Sequence, residues 1–332
     1  MCASPVDSPT LAGTVLQAVD SWQRRHTVAA FPLAVVRKFL DDRGSTLAAV
    51  IAYYAFFSLF PLLLVFVSIL GFVLQDNASL QEDVLDSALA RIPVVGAQLR
   101  DEVEPLTGST PALVIGLAGA LWAGLGVTLA LGRAFEEIWD VPRINQRGAL
   151  RARVRGLVVL AVLAVSLIAA TVAAGLGVGG RIGPTAEEVG AVGTALAVNL
   201  MAFVGLFALL TPRSRRILEL LPGAAVAATG ALALQAAGGW YVERAVASAS
   251  DTYGTFALVI GLLSWFWLGA HLVLVAAEVN VVRHHRLWPR SLAGELAGAD
   301  RAALGRAAAA VRQDERQEIQ VRFGNDRESG PT

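Results

Sequence analysis

Apolar residues fall into six long runs along the chain, parted by short polar or charged stretches. They cover about Leu47 to Leu74, Ala112 to Gly132, Val154 to Gly179, Val189 to Leu210, Leu221 to Val242 and Tyr253 to Val282. Each run is long enough to cross the ~30 Å hydrocarbon layer of a bilayer, which takes about 20 residues. Lipid offers no partners to backbone N–H and C=O groups, so each run must close its hydrogen bonds internally as a helix. The pattern predicts an all-α fold, a polytopic membrane helix bundle of about six transmembrane helices. Few polar residues part the third and fourth runs, which predicts a tight hairpin.

Lys and Arg are distributed unevenly between the connecting segments. The N-terminal segment, the second and fourth loops and the C-terminal tail together carry 23 of them, and the remaining loops carry 4. The excess of basic residues marks the cytoplasmic side. Both termini are therefore expected in the cytoplasm of a bacterial cell, with the chain as a multi-pass protein of the inner membrane. The first outer loop, Gln75 to Pro111, is long and acidic. Its apolar residues (Leu80, Val84, Leu85, Ala88, Leu89, Ile92) recur at helical spacing, which predicts amphipathic helices over the outer face.

Three parts follow. Residues 1–44 read as an amphipathic, interfacial segment, with Trp22, Phe31 and Phe39 beside Arg24, Arg25, Arg37 and Lys38. The segment is too polar to be a secretory signal. Residues 45–286 form the six-span membrane domain. Residues 287–332 form a cytoplasmic tail, partly helical, with an Ala-rich, charged stretch around Ala302 to Val321 and a disordered end.

Polar groups at membrane depth are costly and are candidates for function. Glu278 lies in the inner half of the sixth span, with Asn280 two residues on and His271 seven residues earlier on nearly the same face. A carboxyl in the bundle can hold a proton, pair with an inner-loop arginine or coordinate a substrate, and His271 with Glu278 could relay a proton. Tyr53, Tyr54 and Ser58 lie in the first span just before Pro61, which should kink it. Asp251, Tyr253 and Gly254 stand at the outer mouth of the sixth span. Asn199, Gln235 and Ser58 also suit interhelical hydrogen bonds.

Small residues define a second pattern. Gly116, Ala120, Gly124, Thr128 and Gly132 recur every four residues in the second span, so another helix can approach closely, within the protomer or from a second copy. Pro222 and Gly223 open the fifth span, where proline is tolerated.

Composition narrows the function classes. The chain is 55% hydrophobic and only 16% charged, against roughly 25% charged in soluble domains. Its net charge is zero, which argues against a nucleic-acid partner. A single cysteine, Cys2, and four scattered histidines predict neither a disulfide nor a metal site. No phosphate-binding G-x-x-x-x-G-K-[ST] loop occurs, and no nucleophile stands beside a base, so no cofactor and no catalytic residues are expected.

The run Ala48 to Leu63, which reads AAVIAYYAFFSLFPLL, resembles the first-span signature of the YihY/BrkB family of bacterial inner-membrane proteins. Leu221-Pro222-Gly223-Ala224 is similar to that family's fifth-span opening. Tyr253-Gly254, Leu262-Leu263-Ser264-Trp265 and Ala277-Glu278-Val279-Asn280 are similar to its last span. Ala257 and Ala276 stand where the family often has glycine, and both swaps keep a small residue. The resemblance covers about Phe39 to Arg286 and implies a six-span membrane protein. Some members have been labelled ribonuclease BN, others linked to serum resistance or to export of envelope lipids. A metal-dependent nuclease needs clustered His, Asp and Glu in a water-accessible site, and no such cluster is spelled out here. The reading that follows is a transporter or flippase-like protein for a lipid or small amphiphile, in contact with membrane lipids. The alternative is a scaffold protein that oligomerises with its own copies through the second span.

Overall fold

The computed structural model describes residues 19–73, 110–175, 184–212, 216–241, 255–292 and 296–323. All regular structure among them is helical. The acidic stretch 75–109 lies outside the described residues, as do Asp251, Tyr253 and Gly254.

A short helical stretch, 19–25, leads into α1 (Thr27–Asp41). Six long helices follow: α2 (Gly44–Val73), α3 (Thr110–Ile138), α4 (Ala149–Gly175), α5 (Pro184–Leu210), α6 (Ile217–Tyr241) and α7 (Thr255–His285). A final helix, α8 (Gly298–Ala310), belongs to the tail. Five of the six long helices are apolar and long enough to cross a membrane. The other, α4, carries Arg151, Arg153 and Arg155 in its first turns before its apolar run begins. The helices outrun the apolar windows at the basic ends. The second span was expected to stop at Gly132, but α3 continues through Arg133, Glu136 and Glu137. Backbone hydrogen bonding persists past the point where side chains turn polar, so hydropathy marks the hydrocarbon boundary rather than the helix end.

The six long helices close into a ring. Each packs on the next in chain order, α7 returns to pack on α2, and α3 crosses towards α5 and α7. The densest packing lies at the end of the bundle that carries the basic loops. Phe135, Ile138, Phe207, Leu210, Leu220, Ala224, Leu274 and Val281 are all buried there, with the Phe135 and Phe207 rings 5.5 Å apart. A satellite cluster of Ala34, Val35, Val279, Val282, Leu287 and Ala303 fastens α1 and α8 to the end of α7. Large apolar side chains on the outer faces, among them Val114, Ile115, Trp122 and Phe256, are exposed, as lipid-facing positions require.

The small-residue stripe of α3 is used inside the protomer. A side chain at Gly116 would meet Leu64 and Val65 of α2, and one at Gly124 would meet Leu160 of α4. Thr128 packs on Gly156 of α4, and only Gly132 faces open space. Pro61 sits within α2 and packs on Gly119.

Candidate functional site

The chain's single lysine, Lys38, is buried at the end of α1 although it belongs to a segment that reads as a basic flank. Its ammonium is paired with Asp42, one turn on. It also donates to the Ile138 carbonyl at 3.2 Å and approaches Asp140 Oδ1 at 3.4 Å. The end of α3 is shaped for this role. Val141 N–H bonds back to the Glu136 carbonyl and Asp140 N–H to the Glu137 carbonyl, the paired bonds that terminate a helix through one left-handed residue. That residue is Asp140, at φ 50°, and Asp is among the few non-glycine residues that tolerate this conformation. The closure leaves the Ile138 carbonyl to accept from Lys38. A cation at a helix C-terminus also opposes the negative end of the helix dipole.

Glu278 of α7 completes the cluster. It is 0% exposed and neighbours Lys38 and Asp42; among the described residues no donor serves either carboxyl oxygen, so Glu278 and Asp42 can bond to each other only through a shared proton. A second cation comes from the tail: Arg306 of α8 contacts Asp140 Oδ2 at 3.2 Å and His285 at 2.7 Å. Burial works against the Lys38 charge, but the Glu278, Asp42 and Asp140 carboxyls outweigh it and hold its pKa above the ordinary value. Burial pushes the Asp42 carboxyl up to about 6 despite the pull of Lys38. Three carboxyls thus share two cations, and the cluster balances when it holds one proton.

The other sequence-predicted residues divide. Asn280 accepts from Gly223 N–H at 2.8 Å and ties α7 to α6 where Pro222 interrupts the backbone pattern. A side chain at Gly223 would collide with Ala276 and Asn280, so glycine is required for this approach. His271 shares the α1–α2 side of α7 with Glu278, but seven residues separate them by ~10 Å along the helix. It contacts Ser45 Oγ at 3.2 Å and the Trp267 carbonyl at 2.9 Å, and it stands apart from the buried cluster. Tyr53 is exposed on α2 against Tyr54 and Phe57, and the Tyr54 ring covers Gly126. Ser58 and Asn199 were expected to suit bonds between helices, but each bonds back within its own helix, to the Ala55 and Ala195 carbonyls. Short polar side chains find such local carbonyls readily where water is absent.

Sequence reasoning missed Lys38, Asp42, Asp140 and Arg306. The available signal was compositional, since one lysine among 27 basic residues is an isolated choice of amine over guanidinium.

A second buried network lies beside the first. Arg290, just beyond α7, pairs with Asp300 of α8 at 2.6 Å and with Asp41 of α1 at 2.7 Å. Asp300 also accepts from the Ser291 and Ala297 N–H groups at 2.7 and 3.0 Å. The stretch 19–25 joins through Asp20, which accepts from Leu292 N–H at 2.8 Å, and through Arg24, which donates to Ser291 Oγ at 2.7 Å.

Fold and site together define a polytopic membrane helix bundle with a buried charge cluster at its basic end. Residues 35–299 match the family described as virulence factor BrkB, and the chain belongs to that family. With its membrane-length helices, this makes it a multi-pass protein of the bacterial inner membrane. It is 24% identical to the inner membrane protein YhjD of Escherichia coli over 86% of this chain and 92% of that protein. It is 26% identical to the ribonuclease-like protein YfkH of Bacillus subtilis over 75% of this chain and 93% of that one. An uncharacterised protein of Dickeya dadantii is 26% identical over 72% of this chain. No solved structure matches.

Proposed function

We propose that this protein is a transporter or flippase-like protein for a lipid or small amphiphile, and that the Lys38–Asp42–Asp140–Glu278 cluster is its proton-responsive element. The supporting observation is the Glu278 carboxyl, fully buried at the end of a spanning helix beside the Asp42 carboxyl, with no donor to its oxygens among the described residues. A purely structural carboxylate buried this deeply would be expected to have its oxygens satisfied. Here the surplus acid is left beside a lysine whose bonds go elsewhere. In this reading the basic end faces the cytoplasm, with both termini inside, following the excess of arginine. Ribonuclease activity forms no part of this reading, which rests on the buried Lys38 cluster rather than on a metal-binding group, none being found among the described residues. The contacts of Gly116 and Gly124 with α2 and α4 of the same chain favour this reading over a scaffold that oligomerises through that stripe.

The test is reconstitution in liposomes with an imposed pH gradient, following a fluorescent phospholipid and a small amphiphilic dye. The wild type is expected to move one of them in a gradient-dependent manner, and a correctly folded Glu278→Gln variant to lose that dependence. Wild-type protein that moves neither probe defeats the reading.

A further inference from the structure

At the basic end, α3, α4 and the intervening loop enclose a cavity of about 360 Å³ that reaches Leu210 at the end of α5. Its charged lining is unbalanced: Arg133, Arg147, Arg153 and Arg155 face a single carboxylate, Glu136. Glu136 is committed to Arg147, which it meets through both the backbone N–H at 3.3 Å and the guanidinium at 3.5 Å. Arg147 and Arg155 each donate to the same Thr211 carbonyl at 3.1 Å. Two like charges are thus drawn onto one neutral oxygen. Burial holds the Arg147 pKa below its ordinary value, with Glu136 opposing. The Arg155 Nε–H is buried with no acceptor. Arg133 and Arg153 are exposed at the cavity and make no ion pair among the described residues. The first turn of α4, whose unsatisfied N–H groups carry the positive end of the helix dipole, also borders the cavity at Ala149.

Such a concentration of guanidinium groups in a partly enclosed site calls for an anion, and the planar, multiply donating guanidinium matches phosphate oxygens best. The cavity also lies where the apolar surface begins. Val154, Leu157 and Val158, on the same turns of α4 as Arg153 and Arg155, are exposed. A ligand with its phosphate among the arginines could therefore lay acyl chains along α4. Gly132 leaves the floor open, since a side chain there would meet nothing within 4 Å.

We propose that this cavity is a binding site for a phosphate group, carried by an anionic phospholipid headgroup or free in solution. The proposal does not depend on transport, because a protein that moved nothing would still bind here.

The experiment is native mass spectrometry and thermal unfolding of the full chain in detergent, with phosphatidylglycerol, phosphatidylcholine or inorganic phosphate added. A double variant, Arg133→Gln with Arg153→Gln, removes the two exposed arginines that hold no ion pair among the described residues, so folding should be spared. A control, Arg151→Gln, lies on α4 outside the cavity. Retention and stabilisation by phosphatidylglycerol over phosphatidylcholine, weakened roughly tenfold or more in the double variant and kept in the control, support the site with a lipid as source. Saturable stabilisation by inorganic phosphate with no lipid preference, again lost in the double variant, supports the site with the free ion as source. Equal binding by wild type and double variant, or no binding of either probe, overturns the proposal.

Discussion

The two buried charge networks at the basic end answer the same problem in opposite ways. Around Arg290 two carboxylates meet one guanidinium, but fixed donors serve both: Asp300 accepts from one guanidinium nitrogen and two backbone N–H groups, and the half-exposed Asp41 accepts from another, which leaves only the guanidinium Nη1 without a partner among the described residues. Around Lys38 the acids also outnumber the cations, but there no donor among the described residues serves the Glu278 carboxyl. A network whose acids are served by fixed donors acts as a staple, here binding α1, the end of α7 and α8 together. One with an unserved acid has a cost that changes with protonation, and so its stability responds to pH.

Lys38→Met should have the largest effect. It leaves Asp42, Asp140 and Glu278 buried around a vacated cation, and removing one partner of a buried pair costs ~3–5 kcal/mol. Thermal unfolding in detergent at neutral pH should show the drop. Much of it should be recovered in the double variant Lys38→Met with Glu278→Gln. A single variant as stable as wild type would mean that the cluster is hydrated.

The sharpest contrast comes from neutralising one acid in each network. Asp300→Asn weakens three hydrogen bonds to a carboxylate, each worth ~1.5–3 kcal/mol, and should cost about 2–4 kcal/mol in total after relaxation. Glu278→Gln removes the acid that fixed donors do not serve and keeps its volume, so its effect should stay within the ~1 kcal/mol of a single neutral hydrogen bond. Equal losses in the two variants would erase the distinction between staple and switch.

The smallest effect is pH-dependent. The Asp42 carboxyl, held up to about 6 from an ordinary 3.8, binds its proton more tightly folded than unfolded. Its contribution to stability therefore grows as pH falls through 6 towards 4, and diminishes as pH rises above 6. Asp42→Asn should flatten the melting-temperature profile across that window while the Arg290 network stays unaffected. A profile unchanged by the substitution would assign the slope to another group.

The sequence carried the bundle well and the site only partly. Runs of apolar residues announce spans because bilayer thickness sets their length, and Glu278 stood out because a carboxyl among Val and Ala is conspicuous. Its partners did not stand out. Lys38 and Asp42 sit in a flank where charge is ordinary, Asp140 follows the end of α3 beyond the apolar run that hydropathy marks, and Arg306 belongs to an alanine-rich tail. Only the closing of the ring, with α1 and α8 folded under it, brings these four segments together. The cavity arginines were hidden in the same way. They raise the count of inner-loop charge, and nothing in their spacing tells that Thr211 gathers two of them.

The ring has a consequence for how the protein is made. A chain that inserts helix by helix can pack each new span on its predecessor, but α2 has a free flank until α7 arrives. Lys38 waits as long for Glu278, which is delivered by the last spanning helix, and Arg290 and Asp300 follow only after it. In that order the ring should close only when the last spanning helix meets the first, with the α8 contacts made after it. Chains released before about residue 300 should be the natural clients of membrane quality control, since they would present an open seam to the lipid.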